Sequence, residues 1–255
     1  MKVGIFDSGV GGLTVLKAVR SMFPKLDIVY LGDTARVPYG NRSPQRVVRY
    51  SLECARFLMD KGVEVLVVAC NTASSYAVDT LKTTLGIPVL GVVEPGVKRA
   101  IEETSGRVGV IGTTATIRSG AYQRELIKRG IEVFSKACPL FVPLVEEGLL
   151  EGDITKRVVD MYLRELRSSG IDTLILGCTH YPLLKKEIGD YMRGVKIIDS
   201  SDAVAQALES MVRDEGNAST ELFFTDESQN LTYLVELILG SRFEPQIVSQ
   251  LVCSP

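Results

Sequence analysis

The fold of this chain is decided by the stretch GVEVLVVACNTAS, residues 62–74. Its run of apolar and β-branched residues from 63 to 70 is typical of a strand in a parallel sheet that helices cover on both faces. The run ends at Cys70, and the polar residues Asn71 and Thr72 follow it directly. The stretch therefore predicts a buried strand that places a thiol at the carboxyl edge of a sheet.

Apolar runs of the same kind recur along the chain, and longer amphipathic stretches separate them. The runs occupy residues 2–6, 27–32, 87–92, 107–112, 131–136, 172–178 and 195–199. The helical candidates include residues 44–61, 119–129, 153–168 and 202–215. This alternation of strand and helix predicts an α/β protein with right-handed crossovers.

An internal repeat extends the prediction from one strand to the whole architecture. The stretch GIDTLILGCTHYP, residues 170–182, aligns with the first stretch and places Cys178 on Cys70, 108 residues earlier. At nearly the same spacing, KVGIFDSG aligns with RVGVIGTT, and IPVLGVVEPGV aligns with VKIIDSSDAV. The repeat predicts two pseudosymmetric parallel-sheet α/β domains that face a central cleft.

We place the first domain at residues 1–97 plus 207–255 and the second at residues 98–206. The last part of the chain is expected to return to the first domain. It contains a short strand around ELFFT, a helix that Asp226 or Ser228 caps and that stops near Gly240, and a final run, PQIVSQLV.

Composition excludes several classes of protein. The chain has 255 residues, of which 45% are hydrophobic and 24% charged, and its formal net charge is −2. This charge provides no basic field for nucleic acid. No apolar run approaches the roughly 20 residues that a membrane-spanning helix needs. We therefore expect a soluble, cytoplasmic protein without nucleic acid or membrane partners.

The cysteines indicate free thiols. There are five, an odd number, and none has CxxC spacing, so neither a disulfide framework nor a zinc finger is indicated. Cys54, Cys138 and Cys253 are expected to be structural or incidental, because a buried cysteine is usually inert.

Cys70 and Cys178 differ from these because each ends a strand of the repeat. Ligands of open parallel sheets gather at the carboxyl ends of strands. Two thiols on opposite sides of a cleft could remove a proton from one face of a planar carbanion and return one to the other face. Both cysteines precede candidate helices, and a helix N-terminus is expected to lower the pKa of a thiol.

The residues beside the thiols suggest proton partners that differ between the halves. His180 is the only histidine of the chain and lies two residues after Cys178. The equivalent position in the first half is Thr72, so that half is expected to use Asp7, which follows the first strand beside Ser8. The predicted site is symmetric in its thiols and asymmetric in its helpers.

The blocks FDSGVGGLTV, LGDTARVPYG, VVACNTAS, PLVEEG and LGCTHYPLL resemble the glutamate racemases of the aspartate/glutamate racemase family. These enzymes interconvert L- and D-glutamate without a cofactor and supply D-glutamate for peptidoglycan. The resemblance covers residue 3 to about residue 240. It implies glutamate as the small-molecule partner, no cofactor and no metal, and it leaves a homodimer open.

The resemblance also implies roles for individual residues. The catalytic residues are Cys70 and Cys178 as the two bases, with Asp7, His180 and Glu147 assisting them. The substrate-binding residues are Asp7, Ser8, Tyr39, Gly40, Asn71, Thr72, Thr179 and His180. An amino acid substrate needs hydroxyl, amide and backbone donors for its carboxylates, as several of these residues provide.

Alternative interpretations stay open from the residues alone. Cys70, Cys178, His180 and Asp7 form a donor set acceptable to zinc. A two-lobed binding protein would also keep the cleft, although it would not need paired thiols. Aspartate racemases share the two-cysteine design, and adjacent glutamates such as Glu146 and Glu147 are often just a solvated helix start. The glycines of DSGVGG miss the dinucleotide spacing, so we interpret them as a tight turn that lets backbone approach the ligand.

Overall fold

The computed structural model describes residues 1–227, 230–248 and 251, and its strands form two parallel sheets. In chain order the strands are β1 (Lys2–Asp7), β2 (Asp27–Gly32), β3 (Val65–Val68), β4 (Val89–Gly91), β5 (Arg107–Gly112), β6 (Glu132–Ala137), β7 (Thr173–Gly177), β8 (Lys196–Asp199), β9 (Thr220–Phe224) and β10 (Gln246–Ile247). Every strand pair is parallel.

Helices connect the strands and cover both faces of the sheets. They are α1 (Leu13–Met22), α2 (Pro44–Asp60), α3 (Asn71–Tyr76), α4 (Val78–Thr84), α5 (Val93–Glu103), α6 (Thr114–Ser119), α7 (Ala121–Ile127), α8 (Phe141–Glu146), α9 (Asp153–Ser168), α10 (Lys185–Tyr191), α11 (Ser200–Leu208) and α12 (Leu231–Leu239). Short 3₁₀ helices span Thr34–Arg36, Tyr39–Asn41 and Tyr181–Leu184.

Four strands of the first sheet, β2-β1-β3-β4, have the same order as the four strands of the second, as the sequence repeat requires. The first sheet runs β10-β9-β2-β1-β3-β4, and the second runs β6-β5-β7-β8. The register repeats as well, since Val3 pairs with Ile28 in the first sheet and Val108 pairs with Val133 in the second. The predicted architecture of two pseudosymmetric parallel-sheet α/β halves is confirmed.

Burial on both faces explains why the strands are almost continuously apolar. Along β3, Val65 and Val67 belong to the core cluster under α1, whereas Leu66 and Val68 belong to the cluster under α2. All four are essentially inaccessible to solvent. A central parallel strand with helices on each side has no polar face, so its sequence does not alternate.

Two equivalent helices exchange sheets. Helix α5 follows β4 of the first sheet, yet its Val97 and Ala100 pack with the strands of the second sheet. Helix α11 follows β8 of the second sheet, yet its Val204 and Leu208 pack with α1 and the first sheet. The two halves are therefore interlocked by buried apolar surface.

This exchange bears on where the chain divides into domains. The boundaries predicted after residue 97 and after residue 206 both fall inside the exchanged helices α5 and α11. The division of the chain at these residues stays a prediction.

The end of the chain returns to the first sheet, where β9 pairs with β2 and β10 pairs with β9. Helix α12 stops at Gly240, which adopts a left-handed φ of 69°. The cap predicted at Asp226 is wrong, because that backbone is held by the Thr34 side chain and the helix begins after Asn230. Ser228, the other predicted cap, lies outside the described residues, as does Cys253.

Two predicted helices are shorter than expected. The candidate at residues 202–215 corresponds to α11, which ends at Leu208. The candidate at residues 119–129 corresponds to α7, which starts only after Gly120 because that residue takes a left-handed φ of 67°. Within the described residues, no helix combines the length and the apolar character needed to cross a membrane.

The close approach of β5 and β7 predicts the effect of glycine substitutions. A Cβ on Gly177 would lie 2.7 Å from the carbonyl oxygen of Ile111 on the neighbouring strand. We expect Gly177→Ala to lower the free energy of unfolding by about 1–3 kcal/mol, because the backbone must shift.

The matched control is Gly189→Ala, in helix α10, where the added methyl group meets only Ile197 at 3.5 Å. This change should raise the free energy of unfolding by about 0.4–1 kcal/mol, because alanine restricts the unfolded chain. Urea unfolding checks both, and equal effects of the two changes would contradict the strand contact.

Candidate active site

A narrow cavity lies where the carboxyl ends of strands from both sheets meet. It contains the strand-end residues Ser8 and Cys70 of the first half and Thr113 and Cys178 of the second. The full lining consists of Ser8, Val37, Pro38, Tyr39, Gly40, Cys70, Asn71, Thr72, Thr113, Val142, Cys178, Thr179 and His180. Of the residues predicted from the sequence, Asp7 and Glu147 do not line it.

The lining residues are related by the repeat. The equivalent pairs are Ser8 with Thr113, Val37 with Val142, Cys70 with Cys178, Asn71 with Thr179, and Thr72 with His180. Thr113 and Val142 were missed from the sequence. The aligned stretch RVGVIGTT contained Thr113 opposite Ser8, whereas Val142 lies outside the aligned stretches, 105 residues after Val37. Ten of the thirteen lining residues thus occupy equivalent positions in the two halves, and Pro38, Tyr39 and Gly40 come from the first half alone.

The cavity is closed in this structure. Its free volume is about 20 Å³, which corresponds to about one water molecule. Small-molecule sites typically need several hundred Å³. A ligand as large as an amino acid therefore requires the cleft to widen.

Cys70 caps helix α3 but stays a protonated thiol. Its Sγ accepts a hydrogen bond from the Ala73 backbone at 3.5 Å and donates to Ser8 Oγ at 3.5 Å. Burial, with a further contribution from the negative charge of Asp7, raises the pKa of Cys70 to about 12. The prediction that the helix N-terminus lowers this pKa is wrong for the closed cavity, because desolvation of the thiolate outweighs one backbone hydrogen bond.

Cys178 has an imidazole as its neighbour. Its Sγ lies 3.8 Å from His180 Nδ1, and His180 Nε2 lies 3.2 Å from Glu146 Oε1. Burial lowers the pKa of His180, but the hydrogen bonds with Cys178 and Glu146 outweigh burial and raise the pKa to about 10. The ring therefore lies between a sulfur and a carboxylate that both favour its charged form.

The structure brings Glu146, and not Glu147, to His180. Glu147 follows α8 and lines a second cavity of about 310 Å³, beside Gly9, Val37 and Leu234. Glu146 also borders this second cavity. Successive residues of a helix point about 100° apart, so only one of the two carboxylates can face the imidazole.

Asp7 lies behind the cavity wall. It is fully buried, and its carboxylate accepts hydrogen bonds from the Gly9 backbone at 3.1 Å and from Thr179 Oγ1 at 3.3 Å. Burial raises the pKa of Asp7, while the charge of His180 acts in the opposite direction. Asp7 thus contacts Thr179, which lines the cavity, without lining the cavity itself.

The glycines of the DSGVGG turn allow a close approach to other protein groups. A Cβ on Gly11 would lie 2.5 Å from both His180 Nδ1 and Thr179 Oγ1, and one on Gly12 would lie 2.4 Å from Asp7 Cβ. The turn packs directly against the second cysteine block. The expectation that these glycines let backbone approach the ligand stays a prediction.

Hydroxyl groups from both halves meet beside the thiols. Thr72 Oγ1 lies 3.0 Å from Thr113 Oγ1 and 3.2 Å from Thr116 Oγ1. Tyr39 contributes differently, because its hydroxyl is bound to the buried carboxylate of Asp33. Only the main chain of Tyr39 is left for a ligand.

The donors of a zinc site do not converge. Within residues 1–227, 230–248 and 251, no three histidine, cysteine, aspartate or glutamate side chains are placed to hold one metal ion. The geometry therefore gives the zinc interpretation no support.

Known proteins match nearly the whole chain. The model of the family Asp/Glu/Hydantoin racemase matches residues 13–208. A glutamate racemase of Aquifex aeolicus (strain VF5) is 62% identical over 251 residues, 98% of each chain. The structure of a glutamate racemase from Aquifex pyrophilus superposes with a TM-score of 0.87 at 59% identity, covering 99% of this chain and 100% of that one.

A structure of the glutamate racemase of Francisella tularensis subsp. tularensis SCHU S4 in complex with D-glutamate is also similar. It superposes with a TM-score of 0.91 at 37% identity, covering 98% of this chain and 97% of that one.

The single histidine makes the contact with Glu146 directly testable. We expect the imidazole of the unaltered protein to titrate near pH 10 in NMR spectra, because the contacts with Cys178 and Glu146 favour its charged form. Glu146→Gln should lower that pKa by roughly one unit, since it removes a nearby negative charge.

Glu147→Gln is the matched control, because it removes the same charge one residue further along the chain. It should leave the titration of His180 nearly unchanged. A larger shift in Glu147→Gln than in Glu146→Gln would show that the facing carboxylate is assigned wrongly.

Proposed function

Because the chain belongs to the Asp/Glu/Hydantoin racemase family, we propose that it is an isomerase that interconverts L- and D-glutamate by proton transfer between two thiols. One observation carries the proposal. Cys70 and Cys178 occupy equivalent positions of the repeat and line one cavity, so each half presents a thiol to the same ligand.

The reaction moves one proton at each face of the substrate. One cysteine, as thiolate, takes the Cα proton, and the electron pair of the broken C–H bond passes into a planar carbanion. The other cysteine, as thiol, donates its proton to the opposite face and forms the new C–H bond. The enantiomer leaves with the protonation states of the two cysteines exchanged. Proton exchange with solvent, or the reverse reaction, restores them.

The two thiols enter this cycle with different partners. Cys70 carries its proton in the closed cavity, since burial raises its pKa to about 12. Cys178 has His180 at 3.8 Å to exchange a proton with. We propose that His180 serves Cys178 as a proton partner and that Glu146 keeps the ring oriented through its contact at 3.2 Å.

Asp7 supports the turn that meets the second cysteine block. Its carboxylate accepts hydrogen bonds from the Thr179 hydroxyl and the Gly9 backbone, so we propose that it orients Thr179. Its negative charge is also proposed to raise the energy of a thiolate at Cys70. Glu147 is proposed to act only at the neighbouring cavity, where Glu146 and Leu234 also lie.

The carboxylates of glutamate need hydrogen-bond donors. Hydroxyls of Ser8, Thr72 and Thr179, the amide of Asn71 and the main chain at Tyr39 and Gly40 are the groups proposed to bind them. Thr113, the repeat equivalent of Ser8, joins this set. The structure of the Francisella tularensis relative with D-glutamate supports the proposed class of ligand.

The proposed product serves peptidoglycan synthesis, as the family resemblance implies. We assign the reaction to the cytoplasm, because it needs both cysteines as free thiols and reducing compartments keep them so. The four cysteines within the described residues are free. The homodimer that the sequence leaves open stays a prediction.

Removing either thiol should stop racemisation. We expect Cys70→Ser and Cys178→Ser each to lower kcat for glutamate by at least about 100-fold, because a hydroxyl is a much weaker acid than a thiol. The measurement is polarimetry or circular dichroism of L- and D-glutamate, with aspartate assayed in parallel.

Cys138→Ser is the control, since Cys138 is equally buried but does not line the cavity. It should keep normal turnover per folded molecule. Near-normal turnover in both active-site variants would exclude the two-thiol mechanism. Faster turnover of aspartate than of glutamate by the unaltered protein would favour the alternative that it is an aspartate racemase.

Isotope incorporation tests the two-face transfer. With dialysed, chelator-treated protein in D₂O, L-glutamate should give D-glutamate that carries deuterium at Cα, because the donating thiol exchanges with solvent. The remaining L-glutamate should gain label more slowly early in the reaction. Mass spectrometry of each enantiomer gives the result.

Two outcomes would contradict this mechanism. Product that retains the original Cα hydrogen would exclude transfer between two exchangeable thiols. Activity that disappears with the chelator and returns with zinc would favour a metal site instead.

A further inference from the structure

The side chain of Asn71 is buried and only half satisfied. Asn71 opens α3 directly after Cys70, is 2% exposed and lines the thiol cavity. Its Oδ1 accepts a hydrogen bond of 2.5 Å from the hydroxyl of Tyr122. Its Nδ2 has no hydrogen-bond partner among the residues that the structure describes. A buried donor without a partner is costly unless a ligand accepts from it.

Tyr122 belongs to the other half of the protein. It lies on α7, is fully buried and packs in the core of the second sheet with Val97 and Ile175. Two glycines lie against the two edges of the Tyr122 ring. A Cβ on Gly96 would lie 3.4 Å from Tyr122 Cε1, and one on Gly177 would lie 3.4 Å from Tyr122 Cε2. The position of the hydroxyl is therefore set by the second half.

The phenol selects one orientation of the amide. Burial raises the pKa of Tyr122 far above its ordinary value, so the hydroxyl keeps its proton and must donate it. Oδ1 of Asn71 is the acceptor in the observed orientation. If the amide turned over, Nδ2 would donate to the phenol oxygen, but the phenol O–H would lose its acceptor.

We infer that Tyr122 is a positioning residue, which fixes the Asn71 amide with its NH₂ group directed to a carboxylate of the substrate. The inference rests on the proposed function and adds to it a contact between the halves. The Tyr122 hydroxyl, which is anchored in the second half, thereby orients the Nδ2 donor of Asn71 in the first half, beside Cys70.

The experiment is the change Tyr122→Phe, which removes one oxygen atom and keeps the ring. Without the hydroxyl the amide can turn, so we expect KM for glutamate to rise roughly three- to ten-fold, the worth of one hydrogen bond. Because Asn71 binds substrate and transition state alike, kcat should stay within about two-fold.

Tyr76→Phe is the matched control. The Tyr76 hydroxyl also bridges α3 to the second half, where it donates to the Ala115 carbonyl at 3.0 Å, but it does not touch Asn71. This variant should lose similar thermal stability and keep its KM within about two-fold, since the removed hydrogen bond is of the same kind.

A double-mutant cycle separates positioning from general structure. Asn71→Ala should raise KM by itself, and adding Tyr122→Phe to it should raise KM no further, because the phenol acts through the amide. Dissociation constants for D-glutamate, measured by calorimetry with each variant in a Cys70→Ser background, should show the same pattern.

The outcomes distinguish this inference from the proposed function. If the unaltered protein neither binds nor racemises glutamate, the proposed function fails and the inference fails with it. If it racemises glutamate but Tyr122→Phe leaves KM unchanged, or affects it no more than Tyr76→Phe, only the inference is wrong. Additive effects of Asn71→Ala and Tyr122→Phe on KM would also overturn it.

Discussion

The arrangement of this protein depends on the exchange of two helices between its sheets. Helix α5 leaves the first sheet and packs Val97 and Ala100 on the second, and α11 leaves the second sheet and packs Val204 and Leu208 on the first. Burial of this apolar surface is the main favourable term in such packing. Because the exchanged helices are equivalent in the repeat, the strand ends of both sheets reach one cavity, and the two cysteine blocks lie at the same site.

Shared topology and different side chains together determine the chemistry of the site. The repeat gives each half a thiol at the same strand end, which suits a reaction at two faces of one carbon. The helpers break the symmetry, since Thr72 occupies the position of His180, and Gly112 occupies that of Asp7. The only imidazole therefore lies beside Cys178, while burial and then the Asp7 carboxylate raise the pKa of Cys70.

The closed cavity explains why the pKa of Cys70 is higher than expected for a thiol at a helix N-terminus. A helix N-terminus normally favours a thiolate, yet burial of Cys70 dominates and raises its pKa. Widening of the cleft to admit a substrate changes that burial, so the raised pKa of Cys70 is a property of the closed cavity. The contacts of His180 with Cys178 and Glu146 raise its pKa despite desolvation.

The sequence by itself determined the alternation of strands and helices, the two related halves and the thiols at equivalent strand ends. These features follow from hydrophobic periodicity and from the repeat, which are properties of neighbouring residues. Only the tertiary structure decided that Glu146 faces His180, that Tyr122 reaches Asn71, and that α5 and α11 exchange sheets. Such contacts depend on how helices from distant parts of the chain are oriented when they pack together. A local sequence pattern does not determine which of two adjacent residues, such as Glu146 and Glu147, faces the site.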